Sequence, residues 1–235
     1  MRGCLIKSLI GFLILVFAGV GILYFLYQAA QKPPEFYEVA LQINPEAQKL
    51  AGSEFESRVL QLQNDLLEQG TWEAIFSDKQ INGWLASDMP KKFPKALPAN
   101  VYEPRVEIKP GIVHLAFRFE SKQFSGIVVC SGEAYCTDKS NQVAVRIDDV
   151  KAGVVSLPVS KWLDEIAKGI TRSGFSVVWS EENGNPVALI TIPEDTLEGG
   201  DVVVESIELL AGKVRLRGRT TAPGNNTGDD LPFVP

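Results

Sequence analysis

Apolar and polar residues repeat with two different periods along the chain, and each period predicts a different kind of element. Apolar residues recur every three or four positions in residues 45–69, 77–89 and 157–174, which predicts three amphipathic helices. They alternate at every second position in segments between and after these helices, which predicts antiparallel strands with one buried face. The pattern therefore predicts an α+β domain in which a curved antiparallel sheet packs around amphipathic helices.

Residues that commonly cap helices stand at the start of two of them. Asn44 can cap the first helix, and Pro45 suits its first position. Ser77 caps the second helix, which we expect to stop at Pro90. The apolar stripe of the first helix spans only about three heptads, with alanine at several seam positions. This favours packing onto the domain over the alternative of a coiled-coil stalk.

The period of two is clear in residues 112–120. Four apolar side chains point to one face, and His114 lies on the other, polar face. The apolar positions are Val113, Leu115, Phe117 and Phe119. We expect hairpins to continue through residues 124–151 and 175–192, and strands 201–210 and 213–220 to complete the same sheet.

Residues 8–27 are 20 consecutive residues without a charge. A helix of that length covers about 30 Å, the hydrocarbon thickness of a bilayer. Arg2 and Lys7 precede the run, so we expect residues 1–7 in the cytoplasm and the rest of the chain outside it, on the periplasmic or extracellular side. A cleavable signal peptide is the alternative, but its apolar core is usually only about 7–15 residues long. The length favours a single-pass membrane anchor.

The rest of the chain is predicted to comprise a linker, a domain and a tail. Residues 28–44 contain two consecutive prolines and indicate an extended linker. Residues 45–220 form the α+β domain, and residues 221–235, rich in Gly, Asn, Asp and Pro, indicate a disordered tail. From residue 33 onward the chain holds 29 acidic and 20 basic residues. This balance argues against nucleic acid as a partner, because phosphate binding needs clustered Lys and Arg.

The chemistry-bearing residues are too few to predict an enzyme. His114 is the single histidine, so any serine or cysteine hydrolase would have to use it, and we expect it on an exposed strand face. The chain has no phosphate-binding glycine loop and no CxxC pair, so no metal or cofactor is predicted. Cys130 and Cys136 could form a disulfide outside the cytoplasm only if residues 131–133 bulge or turn, since the two positions lie about 20 Å apart along a straight strand.

Two local motifs resemble those of a known family. Residues 76–82 (FSDKQIN) open a short helix, and residues 150–159 (VKAGVVSLPV) join a strand to a helix. With one amino-terminal span before them, they resemble the YpmS-like family of uncharacterised bacterial membrane-anchored proteins. The resemblance covers about residues 76–220 and implies a sheet curved around helices, similar to the tubular lipid-binding folds of the LmeA and BPI-like groups. It implies no catalytic residue.

A curved sheet with one apolar face can enclose an acyl chain if the helices leave room inside. We therefore predict a non-enzymatic envelope protein that binds lipid or another apolar ligand, with the membrane and other envelope proteins as partners. The alternative is an envelope scaffold or protein-interaction module with a filled core. The candidate lipid-binding residues are Trp84, Leu85, Leu115, Phe117, Phe119, Trp162, Leu163 and Ile166. Any single residue of this set is more often plain core than ligand lining.

Overall fold

The fold is α+β, with antiparallel strand pairing in two sheets. A computed structural model describes residues 32–98, 100–122, 125–153, 155–157, 163, 176–192 and 200–222. The predicted membrane span, most of the predicted helix 157–174 and most of the predicted tail lie outside the described residues. Of the helices in the described ranges, none has the length and hydropathy required to cross a bilayer.

Four helices lie in the first part of the described chain. They are α1 (Glu35–Leu41), α2 (Pro45–Leu67), α3 (Asp78–Ser87) and α4 (Met89–Lys92). The predicted start signals are confirmed: the Asn44 side chain accepts the backbone N–H of Glu46, and Ser77 forms a reciprocal capping box with Gln80. Pro90 does not end helical structure outright, because it occupies an early position of the short helix α4.

Helix α1 lies inside the segment predicted to be an extended linker, so that prediction was wrong for these residues. The chain is extended at Pro34 and turns helical directly after it. Tyr37 and Ala40, three positions apart, are buried, which is the spacing of one helix face. Two consecutive prolines favour an extended chain, but proline is also common just before a helix and in its first turn. Here Pro33 and Pro34 precede helix α1.

The strands form a three-stranded and a seven-stranded sheet. Their bounds are β1 (Gly70–Ser77), β2 (Val101–Lys109), β3 (Ile112–Glu120), β4 (Ser125–Cys136), β5 (Gln142–Ala152), β6 (Val155–Ser156), β7 (Ser176–Glu182), β8 (Asn185–Thr191), β9 (Asp201–Leu210) and β10 (Lys213–Thr221). The larger sheet has the order β2-β3-β4-β5-β8-β7, with β6 paired to β5, and the smaller has the order β1-β10-β9. The prediction that β9 and β10 complete one common sheet was therefore wrong, because β10 pairs with β1 instead.

Helices α2 and α3 pack closely against each other beside the smaller sheet. The helices lie close together at Gly52 and Gly83, where a Cβ added to Gly83 would lie 2.6 Å from the Gly52 nitrogen. Phe55 of α2 also contacts Phe76 of β1, with ring centroids 5.4 Å apart. These contacts place one side of α2 on the domain, as the sequence predicts, although Leu50 of the predicted stripe is 64% exposed.

Alternation along the larger sheet gives it two chemically different faces. One face, which we call the apolar face, carries the buried core residues Phe117, Val128, Ile147 and Val150. Partly buried apolar side chains pack around them: Val101, Phe119, Cys130, Leu157, Leu163 and Trp179. The opposite face carries His114, Ser131 and Asp149 on three neighbouring strands, and we call it the groove face. Helix α1 lies on the groove side of the sheet.

Candidate functional site

A groove with a volume of about 760 Å³ runs between helix α1 and the groove face. The amino-terminal end of α3 closes one side of it, through Asp78, Lys79 and Asn82. Pockets that bind small molecules commonly have volumes between about 300 and 1,000 Å³. This α1 groove therefore has the size of a ligand site.

Helix α1 and the residues flanking it supply an apolar wall. Phe36, Val39, Ala40 and Ile43 all line the groove. The positions 36, 39 or 40, and 43 follow the spacing of one helical face, which extends past the end of α1 into the turn after it. Val39 is 58% exposed, so the wall presents apolar surface that no other described part of the chain covers. Such a wall is suited to hold an apolar group.

The sheet supplies a polar floor. His114 of β3 pairs in register with Ser131 of β4, which pairs in turn with Asp149 of β5, so the three side chains lie in one row across the strands. Nδ1 of His114 lies 2.8 Å from the Ser131 hydroxyl oxygen. Phe36 of the apolar wall covers this end of the row, with its ring centroid 6.3 Å from that of His114.

The charged groups around the floor largely neutralise one another. Lys151 lies 2.5 Å from a carboxylate oxygen of Asp149, and Lys109 lies 2.9 Å from one of Glu107. All four residues line the groove. Both pairs are partly exposed, so they add little to folding stability but offer both signs of charge to a ligand. The floor is suited to polar or zwitterionic groups.

A buried amide holds the α3 side of the groove in place. The Asn82 side chain donates to the carbonyl oxygen of Val106 at 2.8 Å and accepts the Val106 backbone N–H at 2.7 Å. Val106 lies on β2, the edge strand of the larger sheet, whose outer backbone groups would otherwise have no partner in the sheet. Asn82 therefore joins α3 to the sheet through two hydrogen bonds.

Burial lowers the pKa of His114, and the positive charge of Lys109 lowers it further, against the opposing effect of Glu107. The imidazole is therefore neutral at pH 7, and Nδ1 can accept the hydrogen bond from Ser131. In the described part of the chain no carboxylate forms an ion pair with the imidazole, since Asp149 pairs with Lys151 instead. Nor do three or more potential metal-ligating side chains converge anywhere in the described ranges.

The predicted lipid-binding residues do not line the α1 groove where the structure describes them. Phe117, Phe119 and Leu163 come together on the apolar face, where Phe117 is core and the other two pack around it. Leu115 lies on the same strand and is 36% exposed. Their role in binding lipid stays a prediction.

Trp84 and Leu85, the other members of this set that the structure describes, do not pack with Phe117. Trp84 lies between the helices, with ring centroids 5.5 Å from Phe55 and 6.0 Å from Phe93, and its indole N–H donates to Glu56. Leu85 is half-buried on α3. Trp162 and Ile166 lie outside the described residues.

Both cysteines of the domain are free thiols. Cys130 and Cys136 lie in the single strand β4, which continues through the bulge at Ser131 and Gly132 without turning back. Burial raises the pKa of Cys130 to about 11 and also raises the pKa of Cys136. Neither thiol is therefore activated as a nucleophile.

The sequence analysis missed the groove because its residues come from separate parts of the chain. The wall residues Phe36, Val39 and Ile43 do carry a signal, a helical apolar spacing directly after the two prolines. The floor residues Ser131 and Asp149 carry none, because their meeting depends on the register of three strands. No protein-family model, curated protein or solved structure matches the chain, so the resemblance to the YpmS-like family stays a prediction.

Proposed function

We propose that the chain is a membrane-anchored envelope protein whose outer domain binds an amphipathic, lipid-class ligand in the α1 groove without reacting with it. The α1 groove carries the proposal, because one wall is apolar and the facing floor is polar. An amphiphile needs both kinds of surface in one site, and a single site offers them here. A sheet that curves around the helices, as the family resemblance implies, would extend the apolar surface.

The position of the groove along the chain supports a ligand that comes from the membrane. The groove lining begins at Pro34, and the predicted span ends at residue 27. Seven residues reach at most about 25 Å when fully extended. A domain tethered this closely would hold the groove near the bilayer surface, where lipids are at high local concentration.

Native mass spectrometry of the full-length chain, extracted from membranes in mild detergent, tests the proposal. We expect a bound lipid on the wild type. Val39→Asp places a carboxylate in the apolar wall, and we expect it to reduce occupancy at least about tenfold, equivalent to about 1.4 kcal/mol. Leu50→Asp is the matched control, because Leu50 is similarly exposed but lies on α2, outside the groove lining. Equal lipid occupancy in both variants would refute the groove as the site.

Hydrolysis is a second candidate function, favoured by the hydrogen bond between His114 and Ser131 in the same groove. A neutral imidazole could accept the Ser131 proton while the hydroxyl attacks an ester carbonyl. No carboxylate that the structure describes orients the imidazole, so the pair has only two of the three usual members. Turnover of short-chain p-nitrophenyl esters by the wild type, lost in Ser131→Ala, would favour this candidate over simple binding.

The scaffold alternative makes the opposite prediction about lipid. If the groove is covered by a protein partner, the purified chain should carry no lipid, and Val39→Asp should instead abolish capture of that partner. Repeated lipid-free preparations from mild detergent would therefore favour the scaffold over lipid binding.

A further inference from the structure

Arg105 of β2 is a buried cation without an acidic partner. Its side chain lies on the groove side of the sheet, and the residue is 5% exposed. One guanidinium nitrogen donates to the carbonyl oxygen of Pro104 at 2.7 Å, and the buried Nε has no hydrogen-bond partner. Among the residues that the structure describes, no carboxylate forms an ion pair with it. A guanidinium stays charged even when buried, so this arrangement is unfavourable unless an anion completes it.

A second buried donor lies beside Arg105. Tyr37 of α1 is 1% exposed, and its hydroxyl, which lies near the backbone of Arg118, has no hydrogen-bond partner of regular geometry. Burial, reinforced by the negative charge of Glu103, raises the pKa of Tyr37 to about 12. The phenol therefore stays protonated and can donate a hydrogen bond. Helix α1 packs against β2, the strand of Arg105, and the positive charges of Arg105 and Arg118 both act on the Tyr37 hydroxyl. Two buried donors, Nε of Arg105 and the Tyr37 hydroxyl, therefore have no acceptor among the described residues.

Glu103, the acidic residue whose charge acts on both Arg105 and Tyr37, forms its ion pair with another residue. Glu103 has φ of +52°, in the left-handed region, although Pro104 follows it and disfavours helical backbone there. The pairing of β2 with β3 is irregular at the same place. In this conformation the Glu103 carboxylate accepts from Nε of Arg118 at 3.0 Å, near the surface, and leaves Arg105 unpaired. Strained backbone of this kind persists only where the surrounding structure holds it, and such positions cluster at ligand sites.

We propose that Arg105 and Tyr37 bind an oxyanion, a phosphate or carboxylate group, beneath helix α1. A guanidinium forms paired hydrogen bonds with such groups, and the Tyr37 hydroxyl adds a third donor. Glu107, two residues further along the same strand face, lines the α1 groove, so the anion site adjoins the groove. The anion is either free phosphate or the head of a lipid whose tail lies in the groove. The site does not depend on the groove binding lipid, because free phosphate would fill it as well.

Thermal unfolding and calorimetric titration of the full-length chain in dodecyl maltoside micelles test the anion site. One arm compares sodium phosphate with sodium chloride at equal ionic strength, and the other compares micelles doped with phosphatidate or with phosphatidylcholine. We expect phosphate or phosphatidate to raise the melting temperature, and Arg105→Gln to weaken its binding at least tenfold. Arg219→Gln is the matched control and should retain the response, because Arg219 lies on the smaller sheet, is more exposed and is already paired with Glu205.

A second, smaller substitution tests the anion site in case Arg105→Gln does not fold. Tyr37→Phe removes only one hydroxyl, and we expect it to weaken binding about three- to tenfold while leaving the melting temperature in chloride within about 2 °C of the wild type. A response to phosphate alone would identify a free anion as the ligand, and a response to phosphatidate alone would identify a lipid head. No response of the wild type to either, or an unchanged response in Arg105→Gln and Tyr37→Phe, would overturn the proposal. The Val39→Asp variant distinguishes failure of the anion site from failure of lipid binding in the α1 groove. We expect this variant to lose bound lipid and to keep its response to phosphate.

Discussion

The apolar face and the groove face belong to the same seven-stranded sheet, yet they differ in how completely other residues cover them. On the apolar face Phe117, Val128 and Val150 are closed off from water by packed neighbours. On the groove face His114 and Ser131 stand in a row that α1 covers only in part. The alternation of one strand is enough to produce both faces, since successive side chains point in opposite directions.

The difference shows which face holds the domain together and which is free to bind. A fully packed face contributes stability through buried apolar area and tolerates few changes. A partly covered face with paired charges contributes little stability, so its residues can be chosen for a ligand. Substitutions on the two faces should therefore separate into those that unfold the domain and those that change binding.

The largest effect is expected on the apolar face. Phe117→Ala removes a buried ring from the core, and we expect it to lower the free energy of unfolding by about 3–5 kcal/mol. Leu115→Ala, on the same strand face but 36% exposed, should cost less than about 1 kcal/mol. Urea denaturation monitored by tryptophan fluorescence measures both. Equal losses would mean that the apolar face is not packed as described.

A smaller but clear effect is expected at the polar anchor of the groove. Asn82→Ala leaves the outward N–H and carbonyl of Val106 without their partner, and we expect a loss of about 2–3 kcal/mol. The control is Lys79→Ala on the same helix, since this exposed residue also lines the groove and should change stability by less than about 0.5 kcal/mol. A loss below 1 kcal/mol in Asn82→Ala would show that the edge of β2 is solvated without it.

The pH dependence of stability should carry a contribution from His114. Its folded pKa is lowered, chiefly by burial, so the unfolded chain binds its proton at higher pH than the folded one. The contribution is fully present above the unfolded pKa of about 6.5 and is lost as the pH falls through the folded pKa. Because the ring is only half-buried, we expect less than about 1 kcal/mol. Denaturation between pH 8 and pH 5 should show a shallower decline in His114→Gln than in the wild type, and identical slopes would contradict this.

The smallest effect on stability is expected for Lys151, the residue that follows the core residue Val150. Lys151→Ala removes an ion pair on the groove face, and we expect the free energy of unfolding to change by less than about 1 kcal/mol. Val150→Ala, the adjacent residue on the apolar face, should cost about 1–3 kcal/mol in the same urea experiment. If Lys151→Ala were the more damaging of the two, the distinction between the faces would fail.

Most of the elements, helix α1 excepted, could be predicted from the sequence, but their partners could not. The cap at Ser77 and the period of two around Phe117 depend on neighbours in the chain, and both are confirmed. The pairing of β10 with β1 joins residues about 140 positions apart, and alternation is the same whichever strand lies beside it. The row of His114, Ser131 and Asp149 depends on the same long-range register, so its residues could not be grouped in advance.

The candidate site also illustrates why buried polar residues are hard to foresee. Arg105 lies within an alternating strand, where the sequence gives no reason to expect a residue that is 5% exposed. Its burial follows from α1, a helix that the sequence analysis took for a linker. Without this helix of seven residues, neither the groove nor the proposed anion site could be predicted.

Photo-crosslinking with a diazirine-bearing fatty acid tests most directly which face binds the ligand. The full-length chain is incubated with the probe in mild detergent, irradiated and digested, and the labelled peptides are sequenced by mass spectrometry. We expect labels on α1 and the turn after it, at Phe36, Val39 and Ile43, and a large decrease in labelling of Val39→Asp but not of Leu50→Asp. Labels concentrated instead on Phe119 and Trp179 of the apolar face, or equal labelling of the two variants, would contradict binding in the α1 groove.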